Sequence, residues 1–188
     1  MRNAILAGLA ALAATACERP AEDAGRPEQG AETALAGFRH EQSVDLSGYY
    51  MPMTAIQAGN WRLHHIAMSD TAGFSAWEGG ERPETYGPVM LQFDDVSSPT
   101  GANELGGEYH TVTARVLPEA YEVTDERVRF RGQAPGVGQV TFEGALDADA
   151  LETAQRNLGG SEEPVLTGTL TVGGRMFEAQ RFRWWMGD

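Results

Sequence analysis

The chain has 188 residues, with 14 arginines and no lysine against 27 acidic side chains, 23 glycines, one cysteine and a formal charge of -13. That length suits one domain with appendages and a real core. Collagen, coiled coil and an intrachain disulfide framework are excluded, because glycine shows no three-residue period, charges lack heptad order and a single cysteine has no partner in the chain. So acidic a chain lacks the clustered cations that general nucleic-acid binding needs, and any anion site must be local.

Residues 1–16 read as an export signal: Arg2 in a short leading region, an apolar stretch from Ala4 to Ala14, then small residues up to Ala16. As a helix that stretch spans about 16 Å against a hydrocarbon core of about 30 Å, too short for a permanent span. The residue just beyond is the only cysteine, Cys17, preceded by Ala14-Thr15-Ala16 where a Leu-small-small run is usual. This placement resembles a bacterial lipoprotein signal. The resemblance implies that the Cys17 thiol is acylated with diacylglycerol and the signal cut before it, giving the two or three acyl chains that stable anchoring requires. Glu18 stands where that family's inner-membrane retention signal is usually Asp, which implies sorting to the outer membrane, facing the periplasm.

Residues 17–45 then form an acidic segment with only Leu35, Phe38 and Val44 as sizeable apolar groups. It is expected to be a disordered tether, with a coil reach of about 30 Å, because it cannot bury enough surface to offset its ordering entropy.

Residues 46–188 are expected to form a single β-rich domain. Strands are expected at Trp61–Met68 and Val89–Phe93, with weaker ones at Phe74–Trp77 and Tyr121–Thr124. From Tyr109 to Leu117, His110, Val112, Ala114 and Val116 alternate with polar residues, the period of a half-buried strand. The alternation recurs around Val128 and Phe130, at Val140, Phe142, Gly144 and Leu146, and at Leu166, Gly168, Leu170 and Val172. The inward-phase glycines allow a close approach or a strong bend. Between the last two of these strands, Asp147 or Asp149 caps a helix of about three turns that ends at Gly159-Gly160. Gly173-Gly174 predicts a two-residue hairpin turn. The returning strand, Met176–Trp185, changes phase near Gln180, which predicts a β-bulge. The expected fold is mainly β: an antiparallel meander forming a small barrel or a two-layer sandwich, with one short helix before the C-terminal hairpin.

Chemistry-bearing residues are few. Zinc ligands are conceivable among His64, His65, His110, Asp94, Asp95 and Glu108, but adjacent histidines on a regular strand face opposite ways, so only one of the pair reaches a given metal. The loop from Asp94 to Glu104 carries calcium-type oxygen ligands, yet lacks EF-hand alternation, and ordinary turn chemistry accounts for it. There is no nucleophile elbow, phosphate loop or dinucleotide fingerprint. No metal and no cofactor is therefore assigned.

Arg115, Arg127, Arg129, Arg131, Arg181 and Arg183 take the outward phase of their strands, a possible anion-binding face if those strands are neighbours. Cross-strand pairing with Glu122, Glu143 and Glu178 is the competing expectation. The aromatic residues Tyr49, Tyr50, Trp61, Trp77, Trp184 and Trp185 supply a core or, alternatively, a ligand-holding lumen. The expected function is a non-catalytic cell-envelope lipoprotein whose β domain binds an envelope protein or polymer, with no nucleic-acid partner. The alternatives are a small barrel carrying an apolar ligand and, third, a metal-assisted hydrolase.

Overall fold

A computed structural model describes residues 34–102, 106–158 and 161–187. The export signal, Cys17, most of the tether, Asn103 and Glu104 of the acidic loop, and Gly159-Gly160 lie outside the described residues. In chain order the elements are β1 (Phe38–Glu41), β2 (Gly48–Pro52), β3 (Gln57–Ala58), β4 (Trp61–Met68), α1 (Thr71–Glu78), β5 (Val89–Asp95), β6 (Thr100–Ala102), β7 (Glu108–His110), β8 (Thr113–Thr124), β9 (Arg127–Ala134), β10 (Gly138–Leu146), α2 (Ala148–Arg156), β11 (Leu166–Val172) and β12 (Arg175–Trp185).

The hydrogen-bonded order β8-β5-β4-β2-β12-β11-β10-β9 returns from β9 to β8, closing an antiparallel barrel of eight strands. The β8–β9 pairing is what selects barrel over sandwich. Interior positions of so small a barrel are just wide enough for side chains to fill, and Tyr50, Phe93, Phe130, Leu170 and Phe182 are each at most 1% exposed there. Phe142 and Phe182 meet edge to face across β11, ring centroids 5.6 Å apart. Gly144 and Gly168 face each other on β10 and β11 on the inward phase. A Cβ on Gly168 would stand 2.4 Å from the Glu143 carbonyl oxygen and 2.9 Å from the Phe142 ring, so the glycine pair makes room for that ring.

The C-terminal half follows the sequence closely. Gly173 and Gly174 adopt positive φ angles of 56° and 85°, the backbone of a tight hairpin turn. The β11–β12 register slips between Gly168 and Leu170, and Ala179 takes a positive φ of 52° opposite the slip, which is the bulge expected near Gln180. Asp147 caps α2 by accepting from the Ala150 amide at 2.9 Å, and the helix buries Leu151 and Ala154.

Tyr109–Leu117, expected as one strand, is divided: β7 ends at His110 in a separate ribbon, Val112 is 46% exposed, and β8 starts at Thr113. Three further expectations are corrected. Phe74–Trp77 is part of helix α1, not a strand: Asp70 accepts from the Gly73 amide at 2.8 Å as its N-cap, and Phe74 and Trp77 share one buried face. Tyr121–Thr124 is not a separate strand but the far half of β8. Its register slips at Glu119, beside Pro118, and a bulge tolerates the missing proline N–H and bends the strand. The near half of β8 pairs with β5 and the far half with β1. Third, the ordered fold starts ahead of Leu46. β1 runs parallel to β8, Phe38 packs on Tyr121 at 5.3 Å, and the Asp125 carboxylate accepts from Ser43 N at 2.7 Å, Ser43 Oγ at 2.6 Å and Val44 N at 3.0 Å. Those bonds, the Ser43 hydroxyl first, hold the Asp125 carboxyl below its usual range.

The register places both helices at the end of the barrel where β2 begins. There Phe74 meets Tyr121 edge to face at 5.4 Å. The opposite end carries the glycine hairpin turn, β3 and the separate β6–β7 ribbon.

Candidate functional site

Strand β4 contains one irregularity, and it lies beside a polar cleft on the outer wall. Leu63 and Ile66 both point into the barrel, at 3% and 0% exposure, although three residues apart they should alternate faces. The strand absorbs the mismatch by bulging at His64: Leu63 pairs with Phe93, and His65 with the next residue back, Gln92. Both imidazoles consequently lie on the outside. This corrects the expectation of opposite faces, and the signal was present in the odd spacing of Leu63 and Ile66.

The two rings cross at 80° with Nδ1 of His64 2.7 Å from Nδ1 of His65. One of these nitrogens donates and the other accepts, so at least one ring is neutral in that contact. His65 is the buried partner at 7% exposure, and Tyr49 packs edge-on against it at 4.7 Å. Burial first, then the neighbouring charges of His64 and Arg115, push its pKa down to about 4. His65 Nε2 is buried without a hydrogen-bond partner.

Beside this pair lies a cleft of about 480 Å³ lined by Arg62, His64, Gln92, Asp94, Thr100, Glu108, Tyr109, His110 and Thr113. Its floor is the outer face of β4, β5 and β8, and its side wall is the β6–β7 ribbon. Turn chemistry anchors the base of that ribbon. Asp95 accepts from Ser97 N at 2.9 Å and Ser97 Oγ at 2.6 Å, which lowers its carboxyl pKa, and Thr111 N donates to the Pro99 carbonyl at 2.9 Å. Asp95 is thus engaged as a turn residue.

Tyr109 sits directly across from Gly101, where a Cβ would come within 2.9 Å of the phenol ring. The ring lies over the glycine and remains 53% exposed. Arg62 pairs in register with Asp94, yet Arg62, Asp94 and Glu108 make no side-chain hydrogen bond or ion pair among the described residues. His110 Nδ1 is buried without a partner.

No group of three or more His, Asp, Glu or Cys side chains is placed to hold a metal ion among the described residues. The ligand set imagined around His64, His65 and His110 is therefore not assembled.

The six arginines do not form one face. Arg127, Arg129 and Arg131 share the outside of β9, and each has a carboxylate: Arg127 pairs with Glu143, Arg129 with Glu122 at 3.2 Å and Glu143 at 3.9 Å, and Arg131 with Glu119 at 3.8 Å. Cross-strand pairing with Glu122 and Glu143 is realised. Arg115 lies over the Tyr86 ring at 4.9 Å and donates to the Thr85 carbonyl at 3.3 Å. Arg181 and Arg183 lie on β12, separated from β9 by β10 and β11, and Arg183 approaches Glu162 at 3.9 Å.

The aromatic supply mostly packs. Tyr50 is fully buried and donates to the Leu46 carbonyl at 2.9 Å. Trp184 is buried at 6% exposure, its indole N–H donating to the Ser47 carbonyl at 2.9 Å. Trp185, in the opposite phase, is half-buried on the outside, in register with Tyr49.

Fold and site together define an eight-stranded antiparallel barrel with apolar side chains inside and a polar, solvent-facing cleft on its outer wall. Comparison with protein-family models, with curated proteins and with solved structures finds no match for the chain.

Proposed function

We propose that the chain is a lipid-anchored cell-envelope protein, held through Cys17 on the periplasmic face of the outer membrane, whose barrel is a non-catalytic binding module for an envelope protein or polymer. The observation that carries the reading is the cleft beside the β6–β7 ribbon. It gathers Arg62, Asp94 and Glu108, whose side chains make no hydrogen bond or ion pair among the described residues, and His110, whose Nδ1 lacks a hydrogen-bond partner. Polar groups held out of mutual pairing suit recognition of an external partner. Anchoring near that partner makes even weak affinity useful by raising effective concentration.

Two observations favour this reading over its alternatives. Apolar side chains occupy the barrel interior where an apolar ligand would sit, and the described histidines do not converge with carboxylates on a metal position.

The test has two arms. Cys17→Ser is expected to move the protein from the membrane to the soluble fraction, and continued membrane association overturns the anchor. Photo-crosslinking in envelopes is expected to trap a partner with the intact chain and to lose it in Arg62→Ala/Asp94→Ala. A crosslinking pattern unchanged by that double substitution removes the cleft as the binding surface.

A further inference from the structure

We infer that the cleft is built for a saccharide, a sugar ring or two of an uncharged glycan chain, and this rests on the binding-module reading above. The chemistry of the lining is mixed in sign. Arg62 and the imidazoles of His64 and His110 stand among the two carboxylates of Asp94 and Glu108, so a polyanion finds no cleft of opposite charge and a polycation meets Arg62. A polyhydroxylated ring is a different ligand: each hydroxyl both donates and accepts. Neighbouring hydroxyls match the paired atoms of planar guanidinium and carboxylate groups, which are here Arg62, Asp94 and Glu108.

Two further features point the same way. Tyr109 offers a ring to the cleft while Gly101 supports it, because only a residue without Cβ lets the phenol lie so close to the opposite strand. An aromatic ring 53% exposed is a platform on which the apolar face of a pyranose packs. The buried Nδ1 of His110 has no protein partner, and such a group costs free energy until something bonds to it. The volume of about 480 Å³ lies within the range of small-ligand sites, about 300–1,000 Å³.

The experiment titrates the full-length lipidated chain in detergent with chitotriose, maltotriose and trigalacturonate, read by calorimetry and by amide chemical-shift mapping. A neutral trisaccharide is expected to bind saturably, with shifts concentrated on β4, β5 and the β6–β7 ribbon. Tyr109→Ala is expected to weaken it by about tenfold or more and Arg62→Gln by about threefold or more, whereas Tyr109→Phe keeps the platform and stays within about twofold. Unchanged thermal melting shows that each variant is folded, and the shift map needs no variant at all. The inference is overturned if neither neutral sugar binds, if only trigalacturonate binds, or if the shifts map elsewhere. Failure of the sugars while the crosslinked partner still depends on Arg62 and Asp94 sinks the saccharide alone. Failure of both sinks the binding module as well.

Discussion

The barrel has two unlike halves. From β9 to β12 the strands alternate regularly, the hairpin turn is Gly-Gly, the single bulge sits at Ala179, and every arginine on the outside of β9 has a carboxylate within 4.0 Å. Each half inserts one helix, but from β1 to β8 the chain also hangs a ribbon between β5 and β8, adds a parallel strand, and bulges at His64 and Glu119. On the outside of β9 the arginines are paired with carboxylates, while Arg181 on β12 makes no side-chain hydrogen bond or ion pair among the described residues. The irregular half holds Arg62, Asp94 and Glu108, which line the cleft without a side-chain hydrogen bond or ion pair among the described residues, and the buried Nδ1 of His110, which has no hydrogen-bond partner. The His64 bulge thus falls beside the cleft, where the proposed binding module would break a local rule that most of the barrel keeps for stability.

The largest effect that can break this contrast is expected in the regular half. Gly168→Val places a branched side chain where a Cβ alone would meet the Glu143 carbonyl oxygen at 2.4 Å and the Gly144 Cα at 2.6 Å. Backbone on the neighbouring strand cannot step aside as a side-chain tip can, so the loss is expected to reach about 3 kcal/mol or more. Chemical unfolding measures it. A loss below about 1 kcal/mol would mean that β10 and β11 part easily and that the regular half is not the rigid one.

Legibility divides along the same line. Gly173-Gly174, the phase change near Gln180 and the Asp147 cap are local signals: each lies within a few residues and has one backbone solution. α1 was legible in principle from Asp70 as a cap and Phe74 and Trp77 at helical spacing, but over so few residues Phe74-Ser75-Ala76-Trp77 competes as a strand. The parallel docking of β1 was not legible, since Phe38 finds Tyr121 and Ser43 finds Asp125 only after β8 and β9 have turned. The cleft was legible in composition and hidden in geometry. His64, His65, His110, Asp94 and Glu108 were all visible as candidates, but their common face depends on the His64 bulge and on the ribbon folding back across β5.

The middle-sized prediction addresses the irregular half. The folded pKa of His65, about 4, lies below its unfolded value of about 6.5. The fold therefore favours the neutral ring. Between these pH values the unfolded chain takes up a proton that the folded chain refuses, so stability is full above about pH 6.5 and falls as pH is lowered towards 4. The shift corresponds to about 2–3 kcal/mol of stability. Urea unfolding at pH 7 and pH 4.5 is expected to show this loss, and His65→Gln is expected to remove most of the difference. Equal pH dependence in both proteins would place the loss on other groups and leave the His64–His65 contact without energetic consequence.

The smallest effect sharpens the comparison from the regular side. Arg127 and Glu143 form an ion pair with side chains 46% and 40% exposed, and solvent screening limits such a pair to about 0.2–1 kcal/mol. A double-mutant cycle with Arg127→Ala and Glu143→Ala is expected to give a coupling of about 0.5 kcal/mol, falling as salt is raised. Glu143 also lies 3.9 Å from Arg129, which is only 11% exposed. Removing Glu143 alone therefore costs more than removing Arg127 alone, because it withdraws a carboxylate from the more buried cation as well. If the arginines of β9 serve pairing, neither substitution changes partner crosslinking, whereas the unpaired Arg62 does. Loss of crosslinking in Arg127→Ala would instead make the outside of β9 part of the binding surface, and the division between a paired β9 face and a ligand-facing cleft would fail.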